Sequence, residues 1–219
     1  MEALKDIVIA GTGGFALEVE WLLERLNKKL ECWNFLGFVQ NDVDVGTGYG
    51  NAKVVCDDET LAMRWDRPVG VVIAIANPKI RRKLAAYYRQ NPRVYFPALI
   101  DPGIAEPTNT DIGEGCILCA GTVITTRCTL GRFTIVNMDC TIGHESKLGE
   151  YCTLYPSVNV SGCTDIGDSV ELYTGAFVAP HLQIGDRCVV GACAPVFNNM
   201  KADSVALCAP ARVMKRPSE

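Results

Sequence analysis

Histidine is almost missing from this chain, with two in 219 residues, and no apolar run is longer than Val69 to Ala76. A zinc site of three imidazoles with an open fourth position therefore lacks ligands here. The apolar run is far shorter than the roughly 20 residues that cross a bilayer, and Met1 to Asp6 does not read as a signal peptide. Acidic residues outnumber basic ones only slightly. A formal net charge of -4 with both signs interspersed excludes a basic stripe for nucleic acid and a polybasic membrane anchor. These absences predict a cytoplasmic protein.

Cysteine, in contrast, is abundant, but eleven is an odd number and suits no disulfide framework. The one C-x-x-C, Cys116 to Cys119, has no second pair nearby, which argues against zinc and leaves no need for a metal.

What is present instead is a repeat. Every sixth residue from Ile112 to Val196 is Ile, Leu or Val, through fifteen positions without exception. Four residues after each aliphatic stands something small, as at Cys116, Thr122, Cys128, Thr134, Cys140, Ser146, Cys152, Thr164, Ala176, Cys188 and Ala194; Val158, Val170 and Leu182 are the exceptions. Gly113, Gly131, Gly149, Gly167 and Gly185 recur every eighteenth residue, so eighteen residues make one turn of a three-sided coil. Such hexapeptide repeats stack short parallel strands into a β-helix, with the small column acting as compact apolar filling and glycine easing each corner. The register never slips, so no loop protrudes from the coil to recognise a substrate.

Residues 1–95 read differently. Asp6 to Ala10 is a predicted buried strand, followed by Gly11-Thr12-Gly13-Gly14-Phe15-Ala16 and an amphipathic helix to about Leu30. Strand, glycine turn and helix start match G-x-G-x-x-A and present backbone NH groups to an anion; a tight turn without a ligand fits the same residues. A second strand at Asn34 to Val39 ends in Gln40-Asn41-Asp42, too late for a confident ribose-binding acid. After a glycine-rich loop come a short helix at Asp57 to Trp65, the strand Val69 to Ala76, and a basic helix opened by Pro78. This Rossmann-like module is too short for two mononucleotide halves, so a mononucleotide-like ligand is expected of it. The predicted organisation is thus an α/β module over 1–95, a β-helix over 96–200 packed against it, and a C-terminal tail over 201–219.

Of the two histidines, His144 follows the corner glycine Gly143, so its side chain should leave the interior, either as an idle surface ring or as a general base near neutrality. Glu145 beside it can hold the imidazole in one tautomer. His181 occupies the column of Glu145 two coils on, out of its reach, and reads as a surface or interface residue. Asn137, Tyr155 and Tyr173 share another corner column and form a candidate stacked stripe for a subunit contact.

Taken together, Ile9-Ala10-Gly11-Thr12-Gly13-Gly14, Ile73-Ala74-Ile75-Ala76-Asn77, Ile142-Gly143-His144-Glu145 and Ala209-Pro210-Ala211-Arg212 resemble the bacterial sugar acetyltransferases of the sialic acid and bacillosamine type. The resemblance implies a left-handed β-helix, a homotrimer with active sites between subunits, and acetyl-CoA as co-substrate. It implies His144 as base, Glu145 as its partner and the NH of Gly162 as oxyanion donor. It places the sugar nucleotide at Gly11, Gly13, Gly14, Phe15, Gln40, Asn41, Ala76, Asn77 and Lys79. The coenzyme would lie near Thr153, Gly162, Thr174, Ala192, Pro210 and Arg212, with Thr153 where some members carry a second histidine. Phe15, Gln40-Asn41 and Cys208 also depart from the family pattern. An amine on a nucleotide-linked amino-dideoxy sugar is the first acceptor implied and a sialic acid hydroxyl the second. A non-catalytic trimeric scaffold that binds sugar nucleotides is a third reading; the carbonic anhydrases built on the same prism need more histidine than this chain has.

Overall fold

The computed structural model describes residues 4–105 and 109–208. Six strands, β1 (Lys5–Ala10), β2 (Trp33–Val39), β3 (Gly48–Tyr49), β4 (Ala52–Cys56), β5 (Val69–Ile73) and β6 (Val94–Tyr95), form one sheet in the order β3-β4-β2-β1-β5-β6. All pairings are parallel except the β3–β4 hairpin, which lies in the stretch that the sequence suggested was only a glycine-rich loop. Helix α1 (Gly14–Leu30) buries Ala16, Val19, Leu22, Leu23 and Leu26, the one-face spacing of an amphipathic helix. Helix α2 (Pro78–Tyr88) starts at Asn77, whose side-chain carbonyl accepts from the NH groups of Lys79 and Ile80.

From Leu99 onward the chain winds into a left-handed parallel β-helix. Its three walls are a seven-stranded sheet from Leu99–Ile100 to Val205–Ala206, a five-stranded sheet from Val123–Ile124 to Pro195–Val196, and a five-stranded sheet from Asp111–Ile112 to Gln183–Ile184. They are called here the domain wall, the open wall and the third wall. The aliphatic column points inward and forms one core, with Ile112 only partly buried at the first coil. Val205–Ala206 still pairs with Val189–Val190, and Met200 bridges to Ile184, so the expected tail from residue 201 begins as part of the last coil, outside the six-residue spacing.

Two details correct the reading of the repeat. The small column is not merely filling. The thiols of Cys116, Cys128, Cys140 and Cys152 and the hydroxyls of Thr122, Thr134 and Ser146 each donate to the carbonyl fifteen residues on, at 2.9–3.2 Å. A buried carbonyl with spare acceptor capacity thus gains a partner, while the donor adds little volume to the core. Nor do the eighteen-spaced glycines ease a bend. A Cβ on Gly131 would fall 2.5 Å from the carbonyl carbon of Gly149, so glycine is required by the close approach of successive coils. The bend itself falls elsewhere: every sixth residue from Gly115 to Cys193 has a positive φ of 55–76°, and most of these residues are not glycine. Such a residue costs about 1–2 kcal/mol in left-handed conformation. Coil-to-coil bonds such as Glu145 NH to Thr126 carbonyl and Cys163 NH to His144 carbonyl offset that cost.

The first module sits on the domain wall. Leu99, Ile117, Cys119 and Ile135 share a core with Ala16, Val19 and Leu23 of α1, while Phe133 and Tyr151 share one with Tyr88 and Phe96. Across this seam the wholly buried Arg81 of α2 donates to the carbonyls of Ile75, Ala76, Phe133, Tyr151 and Cys152 and to the hydroxyl of Thr153, at 2.6–3.0 Å. Burial pushes its pKa down to about 10, which leaves the guanidinium charged near neutrality. Arg25 grips Asp101 with Nε and Nη2 at 2.6 and 3.0 Å, tying α1 to the first coil.

Candidate active site

His144 and Glu145 form the turn between the open wall and the third wall, after Thr141–Ile142 and before Lys147–Leu148. Glu145 takes the left-handed conformation, φ 60°, which turns its carboxylate back toward the imidazole. His144 Nδ1 lies 3.2 Å from Glu145 Oε2, and Arg127 Nη1 stands 3.4 Å from Oε1. The hydrogen bond to His144, supported by the charge of Arg127, holds the Glu145 carboxyl below the ordinary carboxylate range. A carboxylate at Nδ1 keeps the proton there and leaves Nε2 as the acceptor. Nε2 in turn faces the next coil at Gly162.

Gly162 NH is left without an acceptor among the described residues, whereas Glu150 and Asp168, at equivalent turn positions on the next edge, have their NH groups bound by the carboxylates of Asp168 and Asp186. One edge therefore offers a ring nitrogen and an unpaired NH side by side. Beside them on the open wall runs a shallow groove lined by Val123, Thr125, Thr141, Asn159, Ser161 and Phe177. Thr174 and Ala192 are exposed at the other margin of that wall.

Sequence reading passed over two residues here. Arg127 and Cys163 lie eighteen residues before and after Glu145, so the repeat's own period would have found them. Cys163 Sγ is 3.9 Å from His144 Nδ1 and 3.7 Å from Glu145 Oε2; partial withdrawal from water and the neighbouring carboxylate push its thiol up. His181, next in this column, is exposed, and its NH bonds to the Gly162 carbonyl.

Thr153 requires correction. It is 2 % exposed, its hydroxyl donates to the Ala76 carbonyl at 2.7 Å, and it accepts from Arg81. It is a seam residue with no surface for a coenzyme. The Ala76 carbonyl is likewise taken, and the Asn77 side-chain oxygen caps α2, so at this turn only other groups remain free for a ligand. The C-x-x-C is also settled: Cys116 and Cys119 are buried in different cores. Pro210 and Arg212 lie outside the described residues.

In the first module, Gly11 to Phe15 follow β1, Gln40 and Asn41 follow β2, and Ala76 to Lys79 follow β5. Bonds from Gly11 NH to the Val39 carbonyl and from Ala74 NH to the Ala10 carbonyl hold these ends together. They sit where the strand order reverses around β1, the usual place for a ligand in an open parallel sheet. Gly13 and Gly14 have ordinary φ angles, and a Cβ on either would meet nothing within 4 Å. Neither packing nor backbone strain within the chain calls for glycine at these two positions. Phe15 packs on the module's core, and Asn41 is bonded to Asp58 through side chain and backbone. Asn41, Asp57, Asp58, Lys83 and Tyr87 line a cleft of about 730 Å³ beside this edge.

Comparison with known proteins separates the two halves. Residues 6–88 match the PglD N-terminal domain family. Beyond that match, the whole chain is similar to solved enzymes. PerB from Caulobacter crescentus, solved in complex with CoA and GDP-perosamine, is 26% identical over 97% of this chain and 99% of its own, with a TM-score of 0.83. A variant of perosamine N-acetyltransferase from the same organism, with the same two ligands, is 25% identical over 98% and 99% of the two chains, TM-score 0.83. The acetyltransferase domain of PglB from Neisseria gonorrhoeae shares the fold, with a TM-score of 0.85 at 21% identity over 96% of this chain and all of its own. A curated relative, UDP-3-O-acylglucosamine N-acyltransferase of Caulobacter sp. (strain K31), is 39% identical over 70 residues, 32% of this chain; the match spans only 21% of that protein. No helix among the described residues is long and apolar enough to cross a membrane.

Proposed function

We propose that this protein transfers the acetyl group of acetyl-CoA to the amine of a nucleotide-linked amino-dideoxy sugar. The observation that carries the reading is the His144 imidazole, with Nδ1 held by Glu145 and Nε2 set against Gly162. The perosamine enzymes, similar along their whole length and solved with CoA and a GDP-sugar, supply the substrate class.

In this mechanism the acceptor amine attacks the thioester carbonyl directly, and His144 Nε2 takes its proton as the carbon–nitrogen bond forms. A positioned base of this kind contributes about 100- to 10,000-fold. Glu145 keeps the tautomer and balances the imidazolium. The free NH of Gly162 stabilises the oxyanion, an interaction typically worth about 3 to 4 kcal/mol. Collapse of the tetrahedral intermediate expels the coenzyme thiolate, which takes the proton back from His144. The sugar nucleotide is held at the glycine turn, with its phosphates over Gly13 and Gly14 at the start of α1, where absence of side chains lets a ligand approach the backbone.

The position of His144 adds a requirement. It lies on the edge between the open and third walls, opposite the domain wall that carries the first module. A sugar held by that module cannot meet this imidazole in one chain, so a second copy must supply it; the reading therefore includes a homotrimer with catalytic sites between prisms and the coenzyme passing Thr174 and Ala192.

The test is loss of acetyl-CoA and gain of acetylated product with GDP-, UDP- and dTDP-linked 4-amino sugars, and with a sialic acid as the hydroxyl acceptor. Turnover with an amino sugar supports the reading; turnover with the hydroxyl acceptor alone replaces it, and no product from any acceptor leaves only a binding scaffold.

A further inference from the structure

We infer that His144 Nδ1, Glu145 Oε2 and Cys163 Sγ form a site for a thiophilic divalent cation such as Zn²⁺, whose binding shuts down the base. The three ligand atoms lie within 4.8 Å of one another, at pairwise distances of 3.2, 3.9 and 3.7 Å. A tetrahedral ion with arms of about 2.0 Å to nitrogen and oxygen and 2.3 Å to sulfur separates its ligands by about 3.3–3.6 Å. The cluster is thus close to the spacing that Zn²⁺ imposes and needs only small side-chain rotations. The positions are also fixed: Glu145 and Cys163 hold the same left-handed corner on successive coils, φ 60° and 56°, so the ladder stacks carboxylate and thiol beside the ring. His144 and Glu145 are exposed and Cys163 is half-buried, so water can complete the coordination shell. Arg127 lies against the other carboxylate oxygen at 3.4 Å and offsets part of the site's negative charge, which sets the affinity below that of a structural zinc site.

Metal at Nδ1 blocks Nε2 by proton bookkeeping alone. In the working tautomer the single ring proton sits on Nδ1 and Nε2 carries the lone pair. When Zn²⁺ takes the Nδ1 lone pair, that proton moves to Nε2, and the Cys163 thiol gives its proton to solvent as the zinc–sulfur bond forms. The ring stays neutral and can no longer accept a proton where the acceptor amine stands. The ion is an inhibitor here and takes no part in acetyl transfer. The site itself stands on ligand geometry; only its effect on turnover rests on the proposed function.

The experiment titrates the full-length protein with Co²⁺ as a spectroscopic stand-in and reads the thiolate-to-cobalt charge-transfer band. Expected is one equivalent per chain, lost in Cys163→Ser and in His144→Ala and retained in a Cys193→Ser, Cys208→Ser double variant, which controls for the exposed thiols elsewhere. In parallel, acetyl-CoA consumption is followed by chromatography with Zn²⁺ added. Saturating Zn²⁺ is expected to lower wild-type turnover about a hundredfold, the effect of losing a general base, with recovery on adding a chelator. Cys163→Ser, which keeps the basal rate, is expected to resist the ion. Absence of the band, or its persistence in folded Cys163→Ser, overturns the site. A cobalt-binding, zinc-insensitive wild type keeps the site and overturns the claim that it blocks the base; no turnover even without metal removes the proposed function and leaves the cobalt result to decide the site.

Discussion

The imidazole of His144 fills the space that a side chain on Gly162 would need: a Cβ there would fall 2.7 Å from Nε2 and 2.9 Å from Cδ2 and Cε1. Gly162 has no positive φ, so its backbone tolerates alanine and only the ring must move. Gly162→Ala is therefore expected to cut kcat at least about tenfold while leaving Tm nearly unchanged, since small misplacement of a reacting group is costly. Steady-state kinetics beside a melting curve check this; unaltered kcat would mean that the ring works from another position.

Glu145 acts on the ring through Nδ1, so Glu145→Gln should lower kcat about ten- to a hundredfold with little change in coenzyme KM, by analogy with removal of the carboxylate that orients a metal-bound histidine. The carboxyl is held below its ordinary range, so it remains ionised throughout neutral pH and contributes no neutral-pH titration of its own. Arg127→Ala, which removes only the outer contact at 3.4 Å, should have the smaller effect. An Arg127→Ala loss larger than that of Glu145→Gln would contradict this ordering.

Thr153 and Arg81 should report on the seam rather than the coenzyme. Thr153→Val is expected to lower stability by about 1–3 kcal/mol, the cost of unsatisfied buried groups, with unchanged acetyl-CoA binding. Arg81→Met removes the donor that five carbonyls share, of which Ala76 keeps the Thr153 hydroxyl and Cys152 keeps the Ile135 NH, and should cost more, about 3–5 kcal/mol by analogy with a broken buried charge network. Denaturant unfolding and calorimetric titration of the coenzyme separate the two quantities. Weakened coenzyme binding in a stable Thr153→Val protein would return that residue to the ligand site.

Asp101 gives the fold an acid limit. Burial raises its pKa, but the bonds from Arg25 and the Gly103 NH outweigh this and hold it below the ordinary 3.8. A carboxyl depressed in the native state stabilises the fold fully above its unfolded pKa, and the contribution disappears as pH falls through the lower native value. Tm should thus drop below about pH 4 in the native chain, while Asp101→Asn starts lower at pH 7 and declines less in acid. Parallel slopes for the two proteins would remove Asp101 from that role.

Much of this architecture was legible from spacing. The aliphatic column at 112 to 196 located the walls, because period six with one inward residue per strand has few other solutions. His144 was placed outside the core by its position after Ile142. Sequence did not reveal what depends on contact between distant segments. Thr153 occupies an exposed-type position on its strand, and only the arrival of Arg81 from α2 buries it. The hairpin β3–β4 was hidden because β3 is only two residues long within a glycine-rich stretch, and the pairing of β4 with β2 comes from the sheet. The Arg127, Glu145, Cys163 and His181 column was visible in principle, but its significance required knowing that these turns share one left-handed corner.

The claim that the catalytic site is made by two copies of the chain meets its most direct test in mixed oligomers. His144→Ala keeps the glycine turn and Gly14→Arg keeps the imidazole, and each variant alone should be inactive. Co-expressed and purified together at equal ratio, they should recover about a quarter of the wild-type turnover per site, because a ring of neighbouring chains pairs an intact turn with an intact histidine at that frequency. Mixed assemblies as inactive as either parent would contradict the account.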